Sequence, residues 1–337
     1  DGVRDRLIGL VGEDENTHSY NAIGYESYLE ALDEDRFGRD AKGDKIGIIV
    51  ARGSILDGSH PAGTIGGDST ARLIRQARNN DDIKAIVLRV DSGGGSAFAS
   101  EVIRRELEVT REAGKPVVAS MGSVAASGGY WITMSSDEVW AYPTTITGSI
   151  GIFGIFPTYQ RPLAEHLGTR VDGVGTTPLA GALRPDRALA PELGELIQQV
   201  INKGYRDFIT KAANFRGTTP EEIDKVARGR VWSGEDAFEL GLIDKLGDLD
   251  DAVASAAELA GLDDDYQVTY LEKERKFKVR LIEQLRATAL QLAAPEMIST
   301  PTLPAGRLLR QAEKDAAALL MLNDPNGIYA DSLIESV

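Results

Sequence analysis

The sequence contains no cysteine and only three histidines among its 337 residues. Without cysteine the chain cannot form a disulfide, a thiolate zinc site or a thiol nucleophile. The histidines, His18, His60 and His166, lie far apart and outside the glycine-rich motifs. A Ser-His-Asp hydrolase would therefore need the fold to bring a distant histidine to its serine.

Positive charge is also scarce. The chain has 37 Lys and Arg against 52 Asp and Glu, a formal net charge of −15. Such a chain repels phosphate backbones, and no basic run with interleaved aromatics offsets this locally, so nucleic-acid binding is not expected.

Long apolar runs are missing too. No stretch of about 18 apolar residues could span a bilayer, and no secretory leader is recognisable. We therefore expect the chain as given to be soluble. It begins at Asp1 rather than Met, which favours a processed or partial sequence.

What is present is an alternation of apolar strands and amphipathic helices. This alternation predicts an α/β fold of strand–helix units around a largely parallel sheet. The expected strands are 45–51, 83–90, 116–121, 138–142 and 170–174, and the expected helices are 68–80, 97–113, 127–135 and about 190–214.

Three regions follow from composition. Residues 1–44 are charged and weakly patterned, which is typical of a linker from a preceding segment. Residues 45–271 form the expected main domain. Residues 272–337 are predicted to be an amphipathic helical tail that docks on the domain, on a partner subunit or on a membrane surface.

Two glycine-rich turns each follow an expected strand and precede a helix: RVDSGGGSAFASE at 89–101 and SMGSVAASGGYW at 120–131. Glycines there let backbone N–H groups approach a ligand, and two such loops facing each other would form an oxyanion hole. The first loop alone is equally compatible with a structural turn. It has neither a Gly-Lys-Ser/Thr ending nor GxGxxG spacing, which disfavours nucleotide-binding loops.

Ser127 is the candidate nucleophile. Two glycines follow it at once, so the N–H of Gly128 would lie beside its hydroxyl, as at many nucleophilic serines. The alternative is a serine that only caps the next helix.

Together these segments resemble the signal peptide peptidase A family of serine-lysine membrane peptidases, which has a Clp-protease/crotonase-like fold. The resemblance is closest over 45–271 and indicates the C-terminal half of the long, internally duplicated form. It is carried by GKPVV, DSGGGS, AASGGYW, TGSIGIFG (147–154), NKGYRDFI (202–209), GRVWSGEDAFELGLIDKLGDLDDAV (229–253) and the closing LNDPNGIY (322–329).

The resemblance implies roles for residues of both loops. Ser127 falls on the nucleophile, and Gly128 and Gly94, with Gly95, fall on the oxyanion loops. Gly93 replaces the usual proline of the first loop, which leaves that loop less rigid. A further segment falls on the substrate groove: Ser149, Ile150 and Gly151.

The general-base lysine of this family is missing from its expected place. In short members it lies just beyond the strand matching 170–174, yet residues 173–187 contain no lysine. The resemblance therefore implies that the base comes from an N-terminal half outside this chain. We expect Lys203 and Lys211 to be solvated helix residues and Lys115 to be a surface loop residue. His166 is expected to be structural or exposed.

The implied activity is a serine endopeptidase that digests remnant signal peptides and other apolar peptides without metal or cofactor. The resemblance also implies a homo-oligomer, a tetramer, at the periplasmic side of the inner membrane. Two alternatives remain at this point: a crotonase-like acyl-CoA hydratase or isomerase, and a non-catalytic assembly scaffold.

Overall fold

The computed structural model describes residues 2–14, 19–20, 22, 43–177, 180–182, 184–263, 265–271 and 323–331. Within these residues the strands are β1 (Glu13–Asp14), β2 (Ser19–Tyr20), β3 (Lys45–Arg52), β4 (Ile55–Leu56), β5 (Ile65–Gly66), β6 (Ile83–Ser92), β7 (Gly94–Ser96), β8 (Val117–Ala126), β9 (Glu138–Ala141), β10 (Ile146–Gly148), β11 (Phe153–Gly154), β12 (Val231–Ser233), β13 (Lys245–Leu246), β14 (Gln267–Tyr270) and β15 (Ile328–Asp331). The helices are α1 (Gly2–Val11), α2 (Gly67–Arg78), α3 (Ala97–Glu112), α4 (Gly128–Thr133), α5 (Gln160–Leu167), α6 (Pro191–Arg216), α7 (Pro220–Val226), α8 (Gly234–Glu239) and α9 (Leu249–Leu259).

An eight-stranded sheet forms the centre of the main domain, in the order β12-β10-β8-β6-β3-β14, with β9 also paired to β8 and β13 to β9. All its pairings are parallel except that of β12 with β10. The α/β class and the largely parallel sheet predicted from the sequence are therefore confirmed.

The central strands bury both faces, and alternate residues point to opposite sides of the sheet. On β3, for example, Ile46 and Ile48 face one cluster of buried residues, whereas Ile49 and Ala51 face the other. Helix α9 packs on the first side, while α2 and α3 pack on the second. This two-sided packing fixes the strand ends, and so it fixes the turn that carries Ser127.

Strand β8 is the element that leads to the candidate site. It extends to Ala126, beyond the predicted 116–121, because its two halves pair with different strands on one edge. Val118 to Ser120 pair with β9, and Val124 to Ala126 pair with β10. The second pairing continues the strand up to Ser127.

A second, five-stranded sheet has the order β11-β15-β7-β4-β5. Its strand β7 belongs to the first glycine-rich loop, and its strand β15 comes from the last described residues of the chain. This sheet therefore attaches residues 328–331, which lie beyond the predicted main domain, to the first glycine-rich loop.

Three predictions differ from the structure. Residues 170–174 form no strand, since they are largely exposed and have no neighbouring strand to pair with. Residues 323–331, expected in a helical tail, form a turn and strand β15 because β7 and β11 pair with them. Residues 2–14 and 19–20 of the expected linker form α1 and the β1–β2 ladder. The remainder of the predicted tail, 272–322 and 332–337, and most of 15–42 lie outside the described residues.

Candidate active site

Ser127 occupies a sharp turn between β8 and α4. Its backbone has φ 55° and ψ −113°, a region that residues with a side chain rarely adopt. Such strain persists only where the surroundings impose it. Here the Ser127 N–H donates to the Gly148 carbonyl (2.8 Å), and the Ser127 carbonyl accepts from the Trp131 N–H (2.8 Å). Strand β10 and helix α4 thus hold the turn from both sides.

The hydroxyl of Ser127 does not cap the helix that it precedes. Ser127 is the N-cap residue of α4, yet its side chain accepts no capping hydrogen bond. In contrast, Ser96 caps α3 by accepting from the Ala99 N–H (3.1 Å), and Thr219 caps α7. The capping alternative for Ser127 therefore fails on geometry, and its side chain is almost fully buried (1% exposed).

The two glycine-rich loops meet beside Ser127. A β carbon added to Gly94 would lie 2.7 Å from the Gly128 nitrogen, and one added to Gly128 would lie 3.1 Å from the Gly94 α carbon. Gly94 also has φ +114°, which a side chain would strain further. Both positions must be glycine for the backbones to approach this closely. The structure thus brings together the three residues that sequence reasoning singled out.

The two glycines Gly94 and Gly95 of the first loop have different surroundings. The Gly94 N–H donates to the Ser92 hydroxyl (3.1 Å). Gly95 instead lies against β4, since a β carbon there would sit 2.1 Å from the Ile55 carbonyl oxygen. Gly94 therefore borders the serine turn, whereas the close packing of β4 on β7 explains the glycine at 95.

The predicted groove residues lie on the segment that follows β10. Ser149 has φ 50° and donates its N–H to the Arg230 carbonyl (2.6 Å). The side chain of Ile150 is fully buried in the main core, and Gly151 packs against the backbone of Gly229. The segment is thus fixed next to Gly148, which itself binds Ser127. The groove roles of Ser149, Ile150 and Gly151 stay predictions.

The candidate lysines Lys115, Lys203 and Lys211 contact groups other than Ser127. Lys115 donates to the carbonyls of Ala77 (2.8 Å), Arg78 (3.0 Å) and Asn80 (2.8 Å) and so caps the C-terminus of α2. Burial lowers the pKa of Lys115, but its position at the end of α2 gives this amine a structural role. The structure therefore corrects the expectation of a plain surface residue.

The other two candidate lysines and the histidine are no closer to a catalytic role. Lys203 is exposed and paired with Asp207 (2.6 Å), and Lys211 lies 3.9 Å from the Glu101 carboxylate. His166 is exposed on α5. These findings agree with the expectation that none of them is the base.

The aromatic residues Tyr130 and Trp131 of α4 belong to the core. The Tyr130 hydroxyl donates to the Leu242 carbonyl (2.9 Å), and complete burial raises the pKa of Tyr130 to about 12. The indole N–H of Trp131 donates to Glu101 (2.8 Å), and its ring packs on Phe208. Both residues anchor α4 and thereby the serine turn.

Sequence reasoning missed strand β15 as a neighbour of the site. A β carbon on Gly94 would lie only 2.1 Å from the Ala330 carbonyl oxygen, and one on Gly128 would lie 2.8 Å from it. The signal in the sequence was local: NDPNG (323–327) is a turn pattern and IYA (328–330) favours a strand. Nothing in the sequence indicated with which strands it would pair.

Comparison with known proteins gives a consistent result. Residues 109–263 match the profile of peptidase family S49. The chain is 44% identical over 331 residues to Protease 4 of Salmonella typhi, covering 97% of this chain and 52% of that protein. It is 36% identical over 223 residues to the putative protease slr0021 of Synechocystis sp., covering 66% of this chain and 76% of that protein.

The chain spans about half the length of the Protease 4 relatives that it matches. Among solved structures it is similar to a membrane-bound stomatin-specific protease in complex with a substrate peptide. That similarity has a TM-score of 0.44 at 16% identity and covers 73% of this chain and all of the other (100%).

Proposed function

The chain belongs to peptidase family S49, and from this premise we propose that it carries the nucleophile half of a serine-lysine endopeptidase. The observation that carries the proposal is the Ser127 turn. Its strained backbone presents an uncapped hydroxyl at the point where Gly94 and Gly128 of the two loops meet.

In the proposed reaction the Ser127 oxygen attacks the scissile carbonyl, and its proton passes to a neutral amine. The N–H groups of Gly128 and Gly94 stabilise the oxyanion, and Gly94 exchanges its bond to Ser92 for this one. The ammonium so formed protonates the leaving nitrogen as the peptide C–N bond breaks. Water then hydrolyses the acyl-enzyme, which releases the acid product and restores the Ser127 hydroxyl. The proposed base is a lysine from outside this chain, as the family resemblance implies. Among the described candidates, Lys115, Lys203 and Lys211 each contact other groups.

A long, weakly buried segment next to the site supports an incomplete assembly. Between residues 151 and 207, no residue that the structure describes is buried, although α5 and the first part of α6 lie there. This stretch exposes the large apolar side chains of Ile155, Phe156, Tyr159, Leu167, Val174, Leu189, Leu196 and Val200. Apolar surface on this scale is typical of an interface. We propose that a lysine-bearing half and further copies of the chain cover it, in a tetramer.

The proposed substrates are remnant signal peptides and other apolar peptides, cleaved at the periplasmic side of the inner membrane. No helix among the described residues is long and apolar enough to cross a bilayer. The location therefore rests on the family resemblance, and fractionation of the full-length protein tests it.

The first test is labelling of the full-length protein by a fluorophosphonate probe. We expect labelling at Ser127 that is lost in Ser127→Ala and kept in the matched variant Ser123→Ala, since Ser123 is an exposed residue of the same strand. Tight acyl-CoA binding without any labelling would contradict the peptidase and favour the hydratase or isomerase alternative.

The second test compares this chain alone with this chain plus a lysine-bearing N-terminal half. We expect peptide hydrolysis only in the combination. Full activity of the chain alone would refute the external base. Inactivity of the combination would favour the scaffold alternative.

A further inference from the structure

The last described strand of the chain lies in a cleft beside Ser127. Strand β15 is antiparallel to both of its neighbours, with Tyr329 opposite Ser96 and Ala330 opposite Gly95 on β7, and with Tyr329 also opposite Phe153 on β11. An extended peptide captured by strand addition occupies this kind of position. Without β15, β7 and β11 would each present an unpaired edge to the cleft.

The carbonyl of Ala330 points at the meeting point of the two glycine loops. Its oxygen is the nearest atom to a β carbon built on Gly94 (2.1 Å), and it lies 2.8 Å from a β carbon built on Gly128. Those are the residues whose N–H groups would hold the carbonyl of a cleaved peptide. Ala330 is fully buried, and Ser127 is only 1% exposed.

A buried anchor holds the strand in this cleft. The Asp324 carboxylate accepts from the Ser96 hydroxyl (2.6 Å) and from the N–H groups of Phe98 (3.0 Å), Asn326 (2.8 Å) and Ile328 (3.1 Å). The Asn323 amide exchanges two bonds with the backbone of Asp57 (2.9 and 3.1 Å). These polar contacts fix the turn, while β15 itself fills the space between β7 and β11.

We propose that residues 323–331 are a strap that occupies the peptide-binding cleft and that a substrate must displace. This inference rests on the proposed function, because it takes the cleft between β7 and β11 as the peptide site. The occupant is this chain's own segment Asn323–Asp331, which presents Ala330 where a bound peptide would present the residue before its scissile bond. The rival interpretation is that β15 is a permanent wall of the site.

The test uses the absence of cysteine from the chain. Ser127→Cys creates a single thiol whose modification rate by a maleimide reports access to position 127, with no need for the base. Truncation after Leu322 removes the strap, and truncation after Asp331 is the matched control that keeps it. Ser123→Cys controls for general reactivity.

We expect truncation after Leu322 to raise the modification rate at position 127 by about tenfold or more, as for a site freed from a strand that covers it. Truncation after Asp331 should leave the modification rate at position 127 unchanged, and truncation after Leu322 should leave the rate of Ser123→Cys unchanged. Adding the peptide NDPNGIYAD should restore protection, and a scrambled peptide should not. An unchanged rate at position 127, or no protection by the peptide, would overturn the strap.

Circular dichroism checks whether the truncated chain folds. If it does not fold, a second variant tests the strap. Asp324→Ala in the full-length chain weakens the anchor, and we expect a smaller but clear rise in the rate at position 127. Native circular dichroism with no rise would overturn the proposal. The two proposals fail separately. Absence of fluorophosphonate labelling in the full-length protein with Ser127 intact refutes the peptidase, whereas the thiol modification rates alone decide the strap.

Discussion

The close approach of Gly94 to its neighbours makes a quantitative prediction about Gly94→Ala. The new β carbon would lie 2.1 Å from the Ala330 oxygen and 2.7 Å from the Gly128 nitrogen. Because ordinary contacts are longer than 3 Å, β15 or the loop must move by about 1 Å, which is expensive in a packed core. The positive φ of Gly94 adds a cost of about 1–3 kcal/mol.

Gly114→Ala is the matched control. Gly114 also has a positive φ (+83°), but nothing lies within 4 Å of a β carbon there. We expect this variant to lower the free energy of unfolding by about 1 kcal/mol, from backbone strain alone. For Gly94→Ala we expect at least about 3 kcal/mol, equivalent to a fall in Tm of about 6–12 °C for a domain of this size.

Urea unfolding followed by circular dichroism measures both changes. Combining Gly94→Ala with truncation after Leu322 removes the clash with Ala330, so the cost of the substitution should drop by about 1 kcal/mol or more in the truncated chain. If Gly94→Ala costs no more than Gly114→Ala, the described contact between the loops and β15 is wrong.

Three further predictions concern single side chains. Ser127→Gly should raise the free energy of unfolding by about 1 kcal/mol relative to Ser127→Ala in urea titrations, because only glycine relieves the strained turn; equal stabilities would contradict the strain. Tyr130→Phe should lower the free energy of unfolding by about 1–3 kcal/mol at pH 8, since it leaves the buried Leu242 carbonyl without its hydrogen-bond donor. Burial raises the pKa of Tyr130 above its ordinary value of 10.0 to about 12, so its contribution to stability is present below pH 10 and is lost towards pH 12. Between pH 8 and pH 11.5 the urea midpoint of unfolding should therefore fall less in Tyr130→Phe than in the parent chain. An equal fall in both proteins would refute this. Lys115→Met should lower the free energy of unfolding by about 1–2 kcal/mol through loss of the α2 cap, and it should leave fluorophosphonate labelling of Ser127 intact. The control Lys203→Met, at an exposed lysine, should change neither stability nor labelling. Loss of labelling in Lys115→Met at unchanged stability would identify Lys115 as the base.

Local patterns predicted much of this structure correctly. The strands at 45–51 and 83–90 and the helix at 97–113 were predictable because each carries its own apolar periodicity. Segment 170–174 has a strand-like composition but no partner strand. It remained irregular because strand formation depends on pairing that composition does not encode.

For the site, the sequence by itself determined the chemistry that is available. It determined a serine before two glycines, a second glycine-rich loop, no cysteine, and no lysine in 173–187. Residue identity and local spacing predicted Ser127 and Gly128, and the family resemblance added Gly94. The catalytic roles of all three residues stay predictions.

Only the tertiary structure decided what surrounds that chemistry. It placed Lys115 on the end of α2, left the Ser127 hydroxyl without a capping bond, and seated residues 323–331 against Gly94 across more than 200 residues of sequence. The physical reason is that backbone pairing and burial between distant segments depend on the whole packed sheet. The residues of a strand determine that it can pair, whereas the fold determines which strand becomes its partner.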